Sequence, residues 1–131
     1  MKRAFHIVFF TLIFIEAFAQ KQCDTIVNKV DTATFKAMLA KHDGTLIDVR
    51  TSDEFISGHI KGAVNIDFRA SDFEKKIAKL EKHKTYYVYC AIGGRSTQAT
   101  EYMKTQGFCK IIMLDRGLRA WTEAGYPITK E

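Results

Sequence analysis

The run Tyr86-Tyr87-Val88-Tyr89-Cys90-Ala91-Ile92-Gly93-Gly94-Arg95-Ser96 holds residues whose types and spacing could do chemistry: a cysteine, four intervening residues, an arginine and a serine. Sulfur attacks as the thiolate, so a reactive cysteine needs surroundings that favour its negative form. Gly93 and Gly94 let a loop curl until successive backbone N–H groups point inward and make an anion-binding nest. A helix opening at Ser96 adds partial positive charge at the same place, and Arg95 adds a full one. The segment Ala91 to Ser96 is therefore expected to cradle an anionic sulfur. A cysteine standing alone is more often an inert core residue. With Gly93, Gly94, Arg95 and a helix start behind it, Cys90 reads as a catalytic nucleophile. His6, His42, His59 and His83 do not stand at zinc-site spacings from the cysteines, so no metal is expected, and no nucleotide-binding loop is present.

The elements that must position this loop alternate along the chain. Ile26 to Val30 reads as a strand, and Asp31 or Thr32 caps a helix that places Phe35, Met38 and Leu39 on one face. Thr45 to Val49 is a buried strand after the Asp43-Gly44 turn, Ser52 to Ser57 a short helix stopped by Gly58, and Ala63 to Phe68 a further strand. Phe73, Ile77 and Leu80 fall at helical spacing. Tyr86 to Tyr89 is a compact β-prone run ending at Cys90. Ser96 to Thr105 is helical until Gly107, Ile111 to Leu114 is a buried strand, and a last helix carries Leu118 and the core residue Trp121 before Gly125. Strands alternating with helices need crossovers, and these lead to a parallel sheet covered on both faces. Ligands bind beyond the carboxyl ends of such strands, which is where Cys90 stands.

Three stretches together resemble the rhodanese homology domain across Ile26 to Ile128. The first is Leu46-Ile47-Asp48-Val49-Arg50 with Glu54-Phe55, Gly58-His59-Ile60, Gly62-Ala63 and Asn65-Ile66. The second is the loop from Cys90 to Arg95, and the third is Gly117-Leu118-Arg119-Ala120-Trp121 with Ala124-Gly125-Tyr126-Pro127. The resemblance implies a rhodanese-like α/β fold with a central parallel five-stranded sheet and helices on both faces. It also implies a sulfurtransferase that needs no cofactor. Cys90 would take a sulfane sulfur from a small anionic donor (thiosulfate, polysulfide or a low-molecular-weight persulfide) and pass it to a thiol or cyanide acceptor. Arg95 matches the family's loop arginine, which orients the loop and stabilises anionic sulfur. Asp48 and Arg50 match a bracing Asp-x-Arg and are read as a structural ion pair, and His59 as a packing or hydrogen-bonding residue.

The chain departs from the family's pattern in two places. Ala91 stands where thiosulfate-using members often carry a second arginine, which favours polysulfide, low-molecular-weight persulfide or protein persulfide donors. Asp115-Arg116-Gly117 replaces an acidic-Gly-Gly stretch, which bears on local loop shape. Because the strands that follow Cys23 and Cys109 are parallel neighbours in that fold, the resemblance also implies a Cys23–Cys109 disulfide, with two unpaired thiols as the alternative. Two other functions stay open. One is a non-catalytic sulfur carrier or binding module. The other is a cysteine phosphatase or arsenate reductase, whose loops place five residues between cysteine and arginine where this chain has four; the smaller ring suits a sulfur atom better than a phosphate.

The chain of 131 residues is enough for one domain, and 47% hydrophobic with 27% charged residues excludes disordered and fibrous classes. The net charge of +5 is scattered instead of striped, so no nucleic-acid partner is expected. Lys2 and Arg3, the apolar run Ala4 to Phe18 and the small residues of Ala17-Phe18-Ala19 have the layout of a signal peptide. Residues 1–19 are expected to be cleaved, leaving a domain over 20–131 in the periplasm or secreted. Glu16 interrupts the run, which falls short of the ~20 residues a membrane span needs, so no stable membrane insertion is expected; a retained anchor is the alternative. In an oxidising compartment disulfides persist, and three cysteines leave at least one thiol unpaired within the monomer.

Overall fold

Each strand hands the chain to a helix before the next strand begins, so the strands enter the sheet in the same direction. The computed structural model describes residues 22–131; the expected leader, residues 1–19, lies outside them. In chain order the elements are β1 (Ile26–Val30), α1 (Thr32–Leu39), β2 (Gly44–Asp48), α2 (Ser52–Ser57), β3 (Val64–Asn65), α3 (Phe73–Ala78), β4 (Thr85–Tyr89), α4 (Gly94–Thr105), β5 (Lys110–Leu114) and α5 (Gly117–Glu123). The sheet runs β1-β5-β4-β2-β3 with every pairing parallel. This is the expected five-stranded parallel sheet. β4, which delivers Cys90, is at its centre.

The two-residue period of β4 divides the core. Tyr86, Val88 and Cys90 face one way and pack with Phe73, Ile77, Ala99, Met103, Phe108 and Ile111, so α3 and α4 cover that face. Tyr87 and Tyr89 face the other way, against Phe35, Leu46, Ile112, Leu114 and Trp121, under α1 and α5. A strand buried on both faces needs apolar or aromatic residues throughout, which is why Thr85–Tyr89 shows no polar alternation. The buried tyrosine hydroxyls keep partners: Tyr86 donates to the Glu81 carbonyl at 2.8 Å, and Tyr87 to Asp43 at 2.6 Å.

Two boundaries differ by more than one residue from those the sequence predicts. The strand expected over 63–68 pairs only through Val64 and Asn65. Beyond them the backbone still bonds to the end of β2 and the residue after it, from Ile66 N–H to Asp48 O at 2.9 Å and from Phe68 N–H to Val49 O at 3.1 Å. The helix expected from Ser96 opens two residues earlier, at Gly94, so the cysteine loop is shorter and the helix end lies closer to the sulfur. Among the described residues no helix is long and apolar enough to cross a membrane.

Candidate active site

Cys90 is 1% exposed and sits one residue past β4. Its sulfur receives the Gly93 N–H at 3.1 Å and lies 3.3 Å from the Ser96 hydroxyl oxygen. Burial pushes the thiol pKa up. The Ser96 hydroxyl and the amides of Ser96, Gly93 and Ile92 pull it down by more, and the net result is a thiol below its ordinary value. The loop bends this tightly because Gly93 takes φ +111°, a conformation that side chains rarely adopt. Gly94 has ordinary helical geometry and begins α4, so the conformational demand read from two glycines falls on one. Ile92, at the tip of the loop, is 61% exposed and gives the rim an apolar edge.

Arg95 lies in the first turn of α4, and both terminal nitrogens of its guanidinium are engaged by one carboxylate. Nη1 donates to Glu54 Oε2 at 2.7 Å and Nη2 to Oε1 at 2.9 Å. Glu54 is itself fixed at the start of α2 by a capping box: its carboxylate accepts from the Thr51 N–H at 3.0 Å while the Thr51 hydroxyl caps the Glu54 N–H. The guanidinium beside it, against a smaller upward push from burial, holds the Glu54 carboxyl well below the usual carboxylate range. Of the two roles expected of Arg95, orienting the loop is the one this geometry serves, and direct contact with the sulfur falls to Gly93 and Ser96. Glu54 is the site residue that the sequence reading left unassigned. Its signal was present in Thr51-Ser52-Asp53-Glu54, the S/T-x-x-E pattern of a capped helix start.

The loop's own carbonyls would be orphaned at the strand end without α5. Leu118 N–H donates to Cys90 O at 2.8 Å and Arg119 N–H to Ala91 O at 3.0 Å, so the first turn of α5 closes over the backbone of Cys90. The approach demands a residue without a side chain at Gly117: a Cβ there would press into Cys90 O and lie 2.7–2.8 Å from the Ala91 carbonyl. Arg116, where the family pattern has glycine, keeps the turn by taking φ +57°.

Asp48 and Arg50 form a buried pair. Arg50 Nη2 donates to Asp48 Oδ2 at 2.8 Å and to Gly58 O at 2.6 Å, and Asn65 Nδ2 bonds the carbonyls of Asp48 and Arg50 at 3.0 and 2.8 Å. The pair ties the end of β2 to the connection after α2. His59 is buried, with Nδ1 2.8 Å from Phe55 O, Nε2 2.9 Å from Glu131 O and its ring stacked on Phe55. Neither group reaches the sulfur. At the opposite end of the sheet Cys23 and Cys109 are joined as a disulfide with Cα atoms 5.5 Å apart, and Cys90 is the free cysteine. His83, which no sequence spacing links to a cysteine, has Nδ1 3.3 Å from Cys109 Sγ.

The family model for the rhodanese-like domain matches residues 31–124. A sulfurtransferase from Allochromatium vinosum is 31% identical over 104 residues, covering 79% of this chain and 95% of that protein. A Bacillus subtilis protein named as a sulfur carrier is 38% identical over 77 residues, 59% of this chain and 40% of that protein. The crystal structure of a rhodanese-related protein from Thermoplasma volcanium superposes with a TM-score of 0.71 at 33% identity, covering 79% of this chain and 99% of that one.

Proposed function

Since this chain belongs to the family of rhodanese-like domains, we propose that it is a sulfurtransferase whose carrier atom is the sulfur of Cys90. The observation that carries the reading is the convergence of the Gly93 amide and the Ser96 hydroxyl on a buried sulfur whose pKa is lowered despite that burial. The Cys90 thiolate attacks the sulfane sulfur of the donor. A Cys90 S–S bond forms, the donor's own bond to that sulfur breaks, and its electron pair leaves with sulfite or a thiolate. The persulfide that remains is again anionic and suits the same donors. An acceptor thiolate or cyanide then takes the outer sulfur, and Cys90 departs as thiolate.

The donor we favour is a persulfide or polysulfide over thiosulfate. Arg95 is the one cation between Ala91 and Ser96, and Glu54 already engages both of its terminal nitrogens. A thiosulfate dianion would meet no uncommitted positive side chain in the loop, whereas a singly charged persulfide needs only the amides. The apolar rim at Ile92 fits a donor with an organic body. We further propose that the domain works after export, on the strength of the leader-like residues 1–19.

Intact mass of the purified protein after exposure to glutathione persulfide, and separately to thiosulfate, tests the chemistry. One added sulfur in the wild type and none in Cys90→Ser is expected, with the persulfide the faster donor. Mass gain without catalytic transfer of sulfur to cyanide or thiols would turn the reading into a stoichiometric carrier. No gain with either donor would remove the sulfur-transfer function.

A further inference from the structure

The end of the sheet opposite Cys90 gathers a second set of reactive side chains. Cys23 comes from the segment before β1, Cys109 from the turn between α4 and β5, and His83 from the turn between α3 and β4. Their ligand atoms (the two Sγ and an imidazole nitrogen) all lie within 4.8 Å of one another. The backbone pre-positions them. Cys109 N–H donates to Lys82 O at 2.9 Å, which fixes the residue next to His83, and Ile26 N–H donates to Cys109 O at 2.9 Å, which fixes the start of the strand that follows Cys23.

A disulfide alone needs only the two cysteines, and it leaves the histidine unexplained. Nδ1 of His83 stands 3.3 Å from Cys109 Sγ, and that sulfur is the ring's one hydrogen-bond partner among the described residues. Tetrahedral Zn–S and Zn–N bonds of about 2.3 and 2.05 Å set their sulfur and nitrogen about 3.5 Å apart, so the observed spacing is close to that of two ligands on one ion. The Cα separation of 5.5 Å lets the two sulfurs either bond to each other or share a metal once reduced. Two thiolates and an imidazole are a donor set for a thiophilic cation, and the two negative sulfurs balance a dication.

We propose that Cys23, His83 and Cys109 form a redox-gated site for one thiophilic divalent cation, with Zn(II) as the test case: the disulfide excludes the metal, and the reduced pair with His83 binds it. Reduction by a dithiol transfers two electrons and two protons to the two sulfurs and leaves the dithiol as its own disulfide. Metal binding then releases both thiol protons as two Zn–S bonds form, and His83 supplies the third ligand through its neutral nitrogen. Three protein ligands leave the fourth position to water or an exogenous thiol, so the ion is exchangeable instead of permanently caged. The fold is thus fastened at this end in either redox state. The site rests on none of the chemistry assigned to Cys90.

The full chain carrying Cys90→Ser has Cys23 and Cys109 as its only cysteines, and it can be titrated anaerobically with Co(II) and then Zn(II) after reduction and removal of the reductant. One equivalent of Co(II) with thiolate-to-cobalt charge-transfer absorption, displaced by Zn(II), is expected in the reduced protein and none in the oxidised protein. His83→Ala should weaken Zn(II) by at least about tenfold, since losing even an outer partner of a metal ligand has that effect. The melting temperature gives a second readout: reduction should lower it, and Zn(II) should restore it in the His83-containing protein more than in His83→Ala. Absence of a thiolate–cobalt band together with no rise in melting temperature overturns the site, as does equal Zn(II) affinity with and without His83.

Discussion

Ser96 has one hydroxyl proton and two acceptors within reach, the Gly93 carbonyl at 3.1 Å and the Cys90 sulfur at 3.3 Å. When Cys90 is a thiol its S–H can point to Ser96 Oγ while the hydroxyl proton goes to Gly93 O. Once the sulfur is negative, the hydroxyl turns to donate to it. The turn leaves no orphan, because Gly93 O also accepts from the Thr97 N–H at 3.1 Å and the Thr97 hydroxyl at 2.8 Å. Ser96 is therefore a hydrogen-bond rotor that follows the charge of its neighbour. Its removal should raise the Cys90 pKa, because the hydroxyl favours the charged form. Since the folded pKa lies below the ordinary thiol value, alkylation of Cys90 by iodoacetamide should reach its plateau at lower pH than a model thiol. In Ser96→Ala that profile should shift to higher pH, with the rate at neutral pH falling about tenfold, the worth of one hydrogen bond to an ion. Ser96→Thr, which keeps a hydroxyl, should recover most of the rate. An unshifted profile in Ser96→Ala would assign the whole stabilisation to the amides.

At the scale of elements, the loop is held by two clamps that come from distant parts of the chain. Glu54 links the start of α2 to the first turn of α4, and the first turn of α5 receives the carbonyls of Cys90 and Ala91. Glu54→Gln leaves the shape of the side chain but removes its charge, so the loop should lose order before the fold does. We expect sulfur transfer to fall by about tenfold or more, as for a hydrogen-bonded charge pair with one partner neutralised, with the Cys90 pH profile broadened. Stability should respond in the acid range. The folded carboxyl lies below its unfolded value, so its contribution is present above the unfolded pKa and is lost as pH falls through the folded one. Urea midpoints of wild type and Glu54→Gln should therefore converge as the solution is acidified; a constant gap would exclude the ion pair as the cause. Gly117→Ala tests the second clamp. Its methyl would meet the backbone of Cys90 and Ala91 at a positive φ, and unfolding free energy should drop by about 1–3 kcal/mol. The contrast between the clamps shows what was legible in the sequence. Local signals sufficed for the strand, the glycine turn and the helix behind Cys90, since those are consecutive residues. The partner of Arg95 was not readable, because 41 positions separate it from Glu54 and only the fold brings α2 over α4. For the same reason spacing along the chain shows neither which of the two roles expected of Arg95 its contacts serve nor that His83 lies beside Cys109.

For the whole molecule, the two ends of the parallel sheet have different tasks. The carboxyl end carries Cys90 and its loop, and the amino end carries the covalent tie between the segment before β1 and the turn before β5. β1 is an edge strand whose residues are largely exposed, paired to β5 alone. It buries too little to hold its place strongly by packing, and a bond between residues 86 positions apart restrains the unfolded chain instead. Replacing both Cys23 and Cys109 by alanine should lower the unfolding free energy by about 2–4 kcal/mol relative to the oxidised protein, measured by urea denaturation at matched pH. Cys90 lies past the far end of β4, roughly 20 Å of strand from Cys109, which stands level with Lys84. Its alkylation rate should consequently stay within about twofold in the double variant, as for sites that share no partner. Lost stability together with a collapsed Cys90 rate would mean that β1 and the loop behind β4 move as one unit, and that the tie at one end of the sheet sets the geometry of the sulfur at the other. Unchanged stability would mean that β5 alone holds β1 in register, through the ladder from Ile26 to Val30.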